Sequence, residues 1–552
     1  MPKSSEALAE RSQKVLVGLL LSVLLGIALV HGIRITHGLA WGMAIDLYRD
    51  TAWAQAFVDG RWFEDAFYAG ETMSYVPLAP AVVAVLSLLT GATVHTMYAQ
   101  AGTYLNLLAP IGLFVLAARW FDKWVALAAV LAFLFLFNAD PYTAVGYRPW
   151  LTTALFSQIV FFPALMAYRS ALTAGSWKKN VVAGIGLGLV FMAHVGPAVV
   201  IGGIVLVCEG LRARRERQWK AGLLRIGTIL GAALAASAPL SVSLLGHYRL
   251  RVLNPDPAHW VWPAEAADIP SMMLANLSFP VIFTVVGIGV ALRGWPRRPQ
   301  ASIISAWIVT SGALWLWGYV WQAAFRRGIE LPSAPVPTWH FLWYLKTVEP
   351  LLFGCGLVFV CERVARRIPE RIIPSRWRLG AVVSVTVIAL GAAAVPGYPR
   401  LFADHRAHAE HYASVVPRTE IVAWIREHTS TEDVFLTQST SPETGAPTLL
   451  VGPAGRKVVA PENSMFASAF VDWKARDRDR RSMLQALARG EVERFRGLAE
   501  SYGVTYLLIS REMAPGKGSR TVESETVIHP AFEASVTLRL ERGLVRIYRV
   551  GY

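Results

Sequence analysis

Over roughly its first 400 residues the chain alternates long apolar runs with short polar connections, and then it stops doing so. A membrane-crossing helix needs roughly 17–25 mostly apolar residues. Runs that suit one lie at 15–33, 98–117, 124–138, 151–169, 181–193, 197–209, 222–243, 272–292, 301–320, 341–361 and 378–396. A further apolar stretch, 75–90, starts Tyr75-Val-Pro-Leu-Ala-Pro80 and is short for a crossing. The runs 181–193 and 197–209 flank Ala193-His-Val-Gly-Pro197 and read as a tight hairpin, with Pro197 making the break. Beyond Pro396 the pattern becomes mixed. Helices are expected at Thr419–Glu427, Ser482–Leu487 and Val492–Tyr502, and strands at Val434–Leu436 and Val504–Ile509. A closing hairpin is expected from Ala534–Leu540 and Leu544–Val550 around Glu541–Gly543.

Composition agrees with this pattern. Of 552 residues, 54% are hydrophobic and 16% charged, where a soluble domain carries about 25% charge. Mean hydropathy is +0.42. These values exclude an ordinary cytosolic enzyme, a disordered tail and a disulfide scaffold. Only three cysteines occur, Cys208, Cys355 and Cys361, all in or beside apolar stretches. Net charge is 53 − 38 = +15. In a soluble protein that would suggest nucleic acid; here it reflects Lys and Arg in cytoplasmic loops, and no nucleic-acid partner is expected.

The positions of those charges predict a topology. Basic loops lie at Arg119–Lys123, Lys178–Lys179, Arg212–Lys220, Arg293–Arg298 and Arg363–Arg378. With Lys3, Arg11 and Lys14 ahead of the first run, the N-terminus is placed inside. Between the outer stretch 34–74 and Arg119 the chain must cross an odd number of times. Residues 98–117 provide one crossing, so 75–90 is read as a helix at, or dipping into, the outer face. The fold class is thus a polytopic α-helical membrane protein with about eleven transmembrane helices, residues 1–399, and a C-terminal α/β extracytoplasmic domain, residues 400–552. About 150 residues suffice for a core of their own.

The first outer loop, 34–90, is unlike a connector. It carries six acids, Asp46, Asp50, Asp59, Glu64, Asp65 and Glu71, against Arg34, Arg49 and Arg61. It also has a helical stretch, Tyr48–Val58. Its pattern is an Asp shortly after the first helix (Asp46), a Tyr just beyond it (Tyr48) and a helix ending at Gly60. Trp62, Asp65 and a Tyr-x-Pro-Leu stretch, Tyr75–Leu78, follow. This pattern resembles the GT-C superfamily of polyprenyl-phosphate-dependent glycosyltransferases. That superfamily includes protein O-mannosyltransferases, aminoarabinose transferases and oligosaccharyltransferase catalytic subunits. The resemblance covers the helical layout and the trailing outer domain.

The resemblance implies transfer of a sugar from a polyprenyl-phosphate carrier to a lipid, polysaccharide or protein acceptor. Transfer would occur at the outer face of a bacterial or archaeal cell membrane. It makes Asp46 the catalytic candidate. An acceptor hydroxyl or amide is a poor nucleophile, and a positioned carboxylate can take its proton as the new bond forms. The plain alternative for Asp46 is a helix N-cap. Asp50, four residues on along the same helix face, is a candidate substrate contact, as are Tyr48 and Tyr75. In the second outer loop, Asp140 is a candidate to assist Asp46, or to share a divalent ion such as Mg or Mn with it, and Arg148 to hold the carrier phosphate. Arg249, Arg251, Arg326 and His340 put positive charge on the outer side, against the loop rule, and ask for an anionic partner. Lys346 lies inside the run 341–361, where ionisable residues usually mark function. His194 sits at the hairpin tip as a further candidate. The acidic-basic run Arg476–Arg480 reads as a solvated helix start.

Two other classes fit the same layout: a transporter of lipid-linked sugars, and a non-catalytic membrane partner in polysaccharide assembly. The first would be expected to show repeated halves with broken helices, and no such repeat is visible.

Overall fold

The computed structural model describes residues 2–42, 45–137, 146–254, 261, 263–275, 279–293, 297–329, 331, 336–397, 403, 406–407, 409–410, 418–438, 447–461, 468–510, 528–543 and 545–551. The chain divides into two compact units, and each is assembled from three separate segments. One comprises Met1–His37, Gly102–Ser237 and Ala258–Asp404; the other comprises Gly38–Ala101, Ala238–Pro257 and His405–Tyr552.

The first unit is helical. Among the described residues of the chain, seven helices are long and apolar enough to cross a membrane: Leu8–Thr36, Val94–Trp120, Thr153–Ala174, Val195–Glu216, Trp219–Ala236, Pro299–Phe325 and Ser375–Gly397. An eighth is reached if the bent pair Ala266–Leu274 and Phe279–Ala291 forms one span. The chain is a multi-pass membrane protein. The other expected crossings take shorter forms. Residues 181–193 lie in the 17-residue helix Trp177–Ala193. Within the run 124–138, the Lys123–Leu131 helix widens into a π-helical turn at Ala132–Leu136. The run 341–361 is divided into Trp339–Thr347 and Glu349–Ala365. Pro350 explains this division, because it has no N–H to continue the ladder and its ring crowds the preceding turn.

The Lys123–Leu131 helix is the middle of this unit, with Ala126 to Leu134 wholly buried. Being apolar on every side, it can be covered on every side. Glycines let its neighbours close in. A Cβ on Gly354 would meet Val125 O at 2.5 Å, and one on Gly356 would overlap Phe283 O. A Cβ on Gly188 would likewise meet Ala233 O at 2.5 Å. In a membrane, where burying apolar surface gives no drive between helices, such close backbone packing supplies much of the attraction.

The second unit is built on a five-stranded sheet: β1 (Val434–Thr437), β2 (Lys457–Val458), β3 (Val504–Ser510), β4 (Val536–Arg542) and β5 (Val545–Val550), in the order β2-β1-β3-β5-β4. β1 runs parallel to β2 and β3; β3–β5 and β5–β4 are antiparallel. Trp473–Arg489 and Val492–Tyr502 cover one face through Met483, Leu487, Phe495 and Ala499, against Leu436, Leu507 and Ile509. On the other face Tyr506 OH donates to His428 O at the end of the Arg418–His428 helix. The strands and helices expected in this region are therefore present, and the Trp473–Arg489 helix is longer than expected.

Three details correct the expectations. The run Arg476–Arg480 is not a solvated start: it lies inside that helix with Asp477 5% and Arg480 1% exposed. Arg480 is drawn inward because it has two partners there, Asp477 at 2.9 Å and the strand-end carbonyl of Thr437 at 3.1 Å. The short strand β2 was not foreseen, because two residues carry no periodicity. The first outer loop is part of the sheet's edge, since Val458 N donates to Phe67 O at 2.8 Å and Tyr68 bridges Val458.

Candidate active site

The Ile45–Val58 helix presents Asp46, Arg49 and Asp50 together, because residues three and four apart share a face. Arg49 is the hub. Its Nη1 meets Asp46 Oδ1 at 3.1 Å, while Nε and Nη2 both meet Asp50 Oδ1 at 3.1 Å. Its Nη2 also donates to Tyr75 OH at 2.6 Å, and Tyr75 OH donates to Asp50 Oδ1 at 2.9 Å. The guanidinium lies 4.6 Å from the Tyr75 ring centre. Burial works against its charge, but Tyr75, Asp46 and Asp50 together hold its pKa above the ordinary value.

The two aspartates differ in environment. Asp46 has a side chain 48% exposed and one ion-pair partner, so it keeps a face open to solvent. Asp50 is fully buried, and its Oδ2 has no hydrogen-bond partner among the described residues. Burial raises its pKa to about 6, against the pull of Arg49. Asp50 thus has no face open to solvent; with Tyr75 it holds the Arg49 guanidinium, which in turn meets Asp46. Tyr48, expected to contact substrate, is 3% exposed. Its hydroxyl accepts from Arg418 and its ring stacks on Trp41, 5.6 Å between centres. Trp41 in turn stacks on His95 at 4.0 Å.

The rest of the loop is scaffold. Asp65 accepts from the backbone N–H of Phe67 and Tyr68 at 2.9 and 3.1 Å and from Ser74 Oγ at 3.0 Å, which fixes the turn. Glu64 pairs with Lys457, and Arg61 Nη2 donates to Gly455 O at 2.8 Å.

In the helical unit, His194 caps the Val195–Glu216 helix, with Nδ1 accepting from Gly196 N at 3.0 Å. Its ring lies 5.3 Å from that of His340 and 6.3 Å from Tyr344. Tyr344 is held by Ser157 Oγ at 3.0 Å, and its carbonyl accepts from Trp307 Nε1 at 2.8 Å. Lys346 is in the last turn of the same short helix that starts at Trp339. Arg148 is 4% exposed, with its guanidinium 5.7 Å from the Trp150 ring centre. Arg326 is matched to Glu265 at 3.0 Å, which reduces its call for an external anion. Arg249 and Arg251 are exposed in the second unit. Asp140 lies outside the described residues.

Among the described residues no group of three or more His, Cys, Asp or Glu side chains is arranged to hold a metal ion. The Asp46–Asp50 pair does not fit one, because Arg49 already stands between the two carboxylates. Two residues of the cluster were not foreseen. Arg49 had a readable signal, its spacing of three from Asp46. Arg418 had none, because it lies 370 residues from Tyr48 in sequence.

No family model and no curated relative matches the chain. Solved structures do. ArnT of Cupriavidus metallidurans, bound to undecaprenyl phosphate, matches with a TM-score of 0.55 at 13% identity over 96% of this chain and 97% of its own. The Archaeoglobus fulgidus oligosaccharyltransferase, tethered to an acceptor peptide, matches with a TM-score of 0.51 at 14% identity over 89% and 69%. The mycobacterial arabinofuranosyltransferase AftD matches with 0.52 at 13% over 96% of this chain and 40% of its own. The chain has the fold of the GT-C glycosyltransferases, as its first outer loop suggested.

Proposed function

We propose that this chain is a membrane glycosyltransferase that moves a sugar from a polyprenyl-phosphate carrier to an acceptor at the outer face of a bacterial or archaeal cell membrane. On this reading the N-terminus is cytoplasmic and the sheet-bearing unit is outside. The observation that carries the reading is the Asp46–Arg49–Asp50 arrangement on the first outer loop of a GT-C fold.

The chemistry follows from the difference between the two aspartates. Asp46 keeps an open carboxylate face for an acceptor O–H or N–H. It takes the acceptor's proton as the acceptor atom bonds to the sugar C1 and the bond from C1 to the carrier phosphate breaks. The electron pair of that bond leaves on the phosphate. Arg49 fixes the rotamer of Asp46, and Asp50 with Tyr75 fixes Arg49. Lys346, half-buried, is the proposed contact of the carrier phosphate, since an ammonium group matches phosphate oxygens; Arg148, 4% exposed, is too buried to share that role. His340, in the first turn of the Lys346 helix, and His194, whose ring lies 5.3 Å from it, are proposed to serve the same anion.

The test is Asp46→Asn, assayed with radiolabelled undecaprenyl-phosphate-linked sugars in membranes of the expressing cells. Loss of a general base typically costs 10²–10⁴-fold in rate. Transfer should fall by about that factor at unchanged expression. Unchanged transfer would remove Asp46 from the mechanism.

A further inference from the structure

The second unit contains a cavity of about 440 Å³ that the chemistry above does not use. It lies where all three segments of that unit meet. Glu71 comes from the first outer loop, His247, Tyr248, Arg251 and Leu253 from the middle segment, and Phe470, Asp472, Arg476 and Tyr502 from the C-terminal segment. We infer that this cavity is an acceptor subsite for a sugar bearing an anionic group; the inference rests on the glycosyltransferase reading and names its acceptor class.

The walls are built rather than incidental. Leu253 N and Asn254 N both donate to Ala469 O, at 2.9 and 3.0 Å, which ties the middle segment to the C-terminal one. Tyr248 OH donates to Thr72 O at 2.7 Å, which ties it to the first loop. The Tyr248 ring stacks on Phe470, 5.4 Å between centres and 26° between planes. Arg476 lies 5.1 Å from the Tyr68 ring centre and 5.6 Å from that of Tyr502, while its Nη2 meets Glu71 Oε1 at 3.1 Å. Tyr502 OH is fixed by Asp479 at 2.7 Å. The size is that of a small-ligand site. Fixed aromatic faces suit the C–H side of a sugar ring, since an aromatic face is the negative part of its quadrupole.

The charges explain why the sugar is acidic. Glu71 is committed to Arg476 and to His247, at 3.1 and 3.5 Å. Asp472 caps its helix by accepting from Ala475 N at 3.0 Å. Arg476 is committed to Glu71 and two rings. Arg251 is exposed and lines the cavity without an acidic partner among the described residues. A guanidinium without an acidic partner among the described residues, beside aromatic platforms, matches a carboxylate or phosphate carried on a sugar.

The experiment uses the full chain in nanodiscs and titrates cellobiouronic acid, neutral cellobiose and inorganic phosphate. The acidic disaccharide should bind at least about 10-fold more tightly than cellobiose, since a hydrogen bond to a charged group is worth about that factor. Arg251→Gln should remove this preference and leave the weak neutral binding. Phe470→Ala should weaken both disaccharides. Asp46→Asn should bind the acid as the native chain does while losing transfer, so a failure of the catalytic reading and a failure of this subsite give different results. No binding of either disaccharide, a preference that survives Arg251→Gln, or phosphate competing as well as the acidic disaccharide would overturn the inference.

Discussion

Asp50→Asn should be harmless to stability at alkaline pH even though it removes a buried ion-pair partner of Arg49. The carboxyl is fully buried, and its pKa is raised from the ordinary 3.8 to about 6. Folding therefore favours the protonated form relative to the unfolded chain. The shift corresponds to about 3 kcal/mol, at about 1.4 kcal/mol per pH unit. A raised carboxyl pKa has a definite sign in linkage. Below pH 3.8 both folded and unfolded chains hold the proton, and stability is at its full value. Between 3.8 and about 6 the unfolded chain releases the proton first, so stability falls as pH rises, and above about 6 the loss is complete. Asparagine keeps the shape and remains neutral throughout. Removing one partner of a buried pair is costly where it strands the other charge, but Arg49 keeps Asp46 at 3.1 Å and Tyr75 OH at 2.6 Å, so its guanidinium is not left unpaired. The assay is apparent melting temperature in detergent from pH 4 to pH 8, native chain against Asp50→Asn. The native chain should lose ground steadily to the variant between pH 4 and about 6, then hold a constant offset. A gap that does not change over that range would refute the reasoning, because Asp50 would then not be the titrating group.

Two further outcomes follow from packing and burial. Gly356→Ala should lower the melting temperature, because its methyl would overlap Phe283 O across a helix pair; overpacking of this kind costs about 1–3 kcal/mol. Gly289→Ala, in the same helix pair but with nothing within 4 Å of the added atom, should be neutral or slightly stabilising. Arg480→Ala should cost about 2–4 kcal/mol, because it strips the donor from the strand-end carbonyls of Thr437 and Gln438 and one partner from Asp477. Limited proteolysis of the C-terminal region would read that loss, and Arg480→Lys should not restore it, since a single nitrogen cannot occupy the separate positions of Nε and Nη1.

The helical elements were legible because each needs a long apolar run, and such runs survive any tertiary arrangement. The runs that came out differently failed for local reasons. Pro350 divides 341–361, and the 124–138 run widens into a π-turn at Ala132–Leu136. The paired strands and helices after residue 418 were legible from short-range periodicity. The assembly of the second unit was not. Nothing in the sequence near Tyr48 announces Arg418, and nothing near Glu64 announces Lys457, because these partners are joined only by the fold. At the candidate site the acids were visible as a local excess of negative charge. Their division of labour was not, because it depends on burial: Asp46 is open and Asp50 is closed.

The three-segment make-up of the second unit sets the order of events during synthesis. Glu64 and Ala69 leave the ribosome early, but their partners Lys457 and Arg476 come 393 and 407 residues later. At about 5–20 residues per second that is a delay on the order of 20–80 s. Through that interval the acidic loop lacks its pairs with Lys457 and Arg476 and the strand edge it will join, and only its internal pairs through Arg49 and Arg61 can form. A chain that stops before its last 150 or so residues never closes that edge, so the loop stays open to proteases however well the helices have inserted. Completion of the C-terminal sheet is thus the event that fastens the first outer loop at Phe67 and Tyr68, and it comes last.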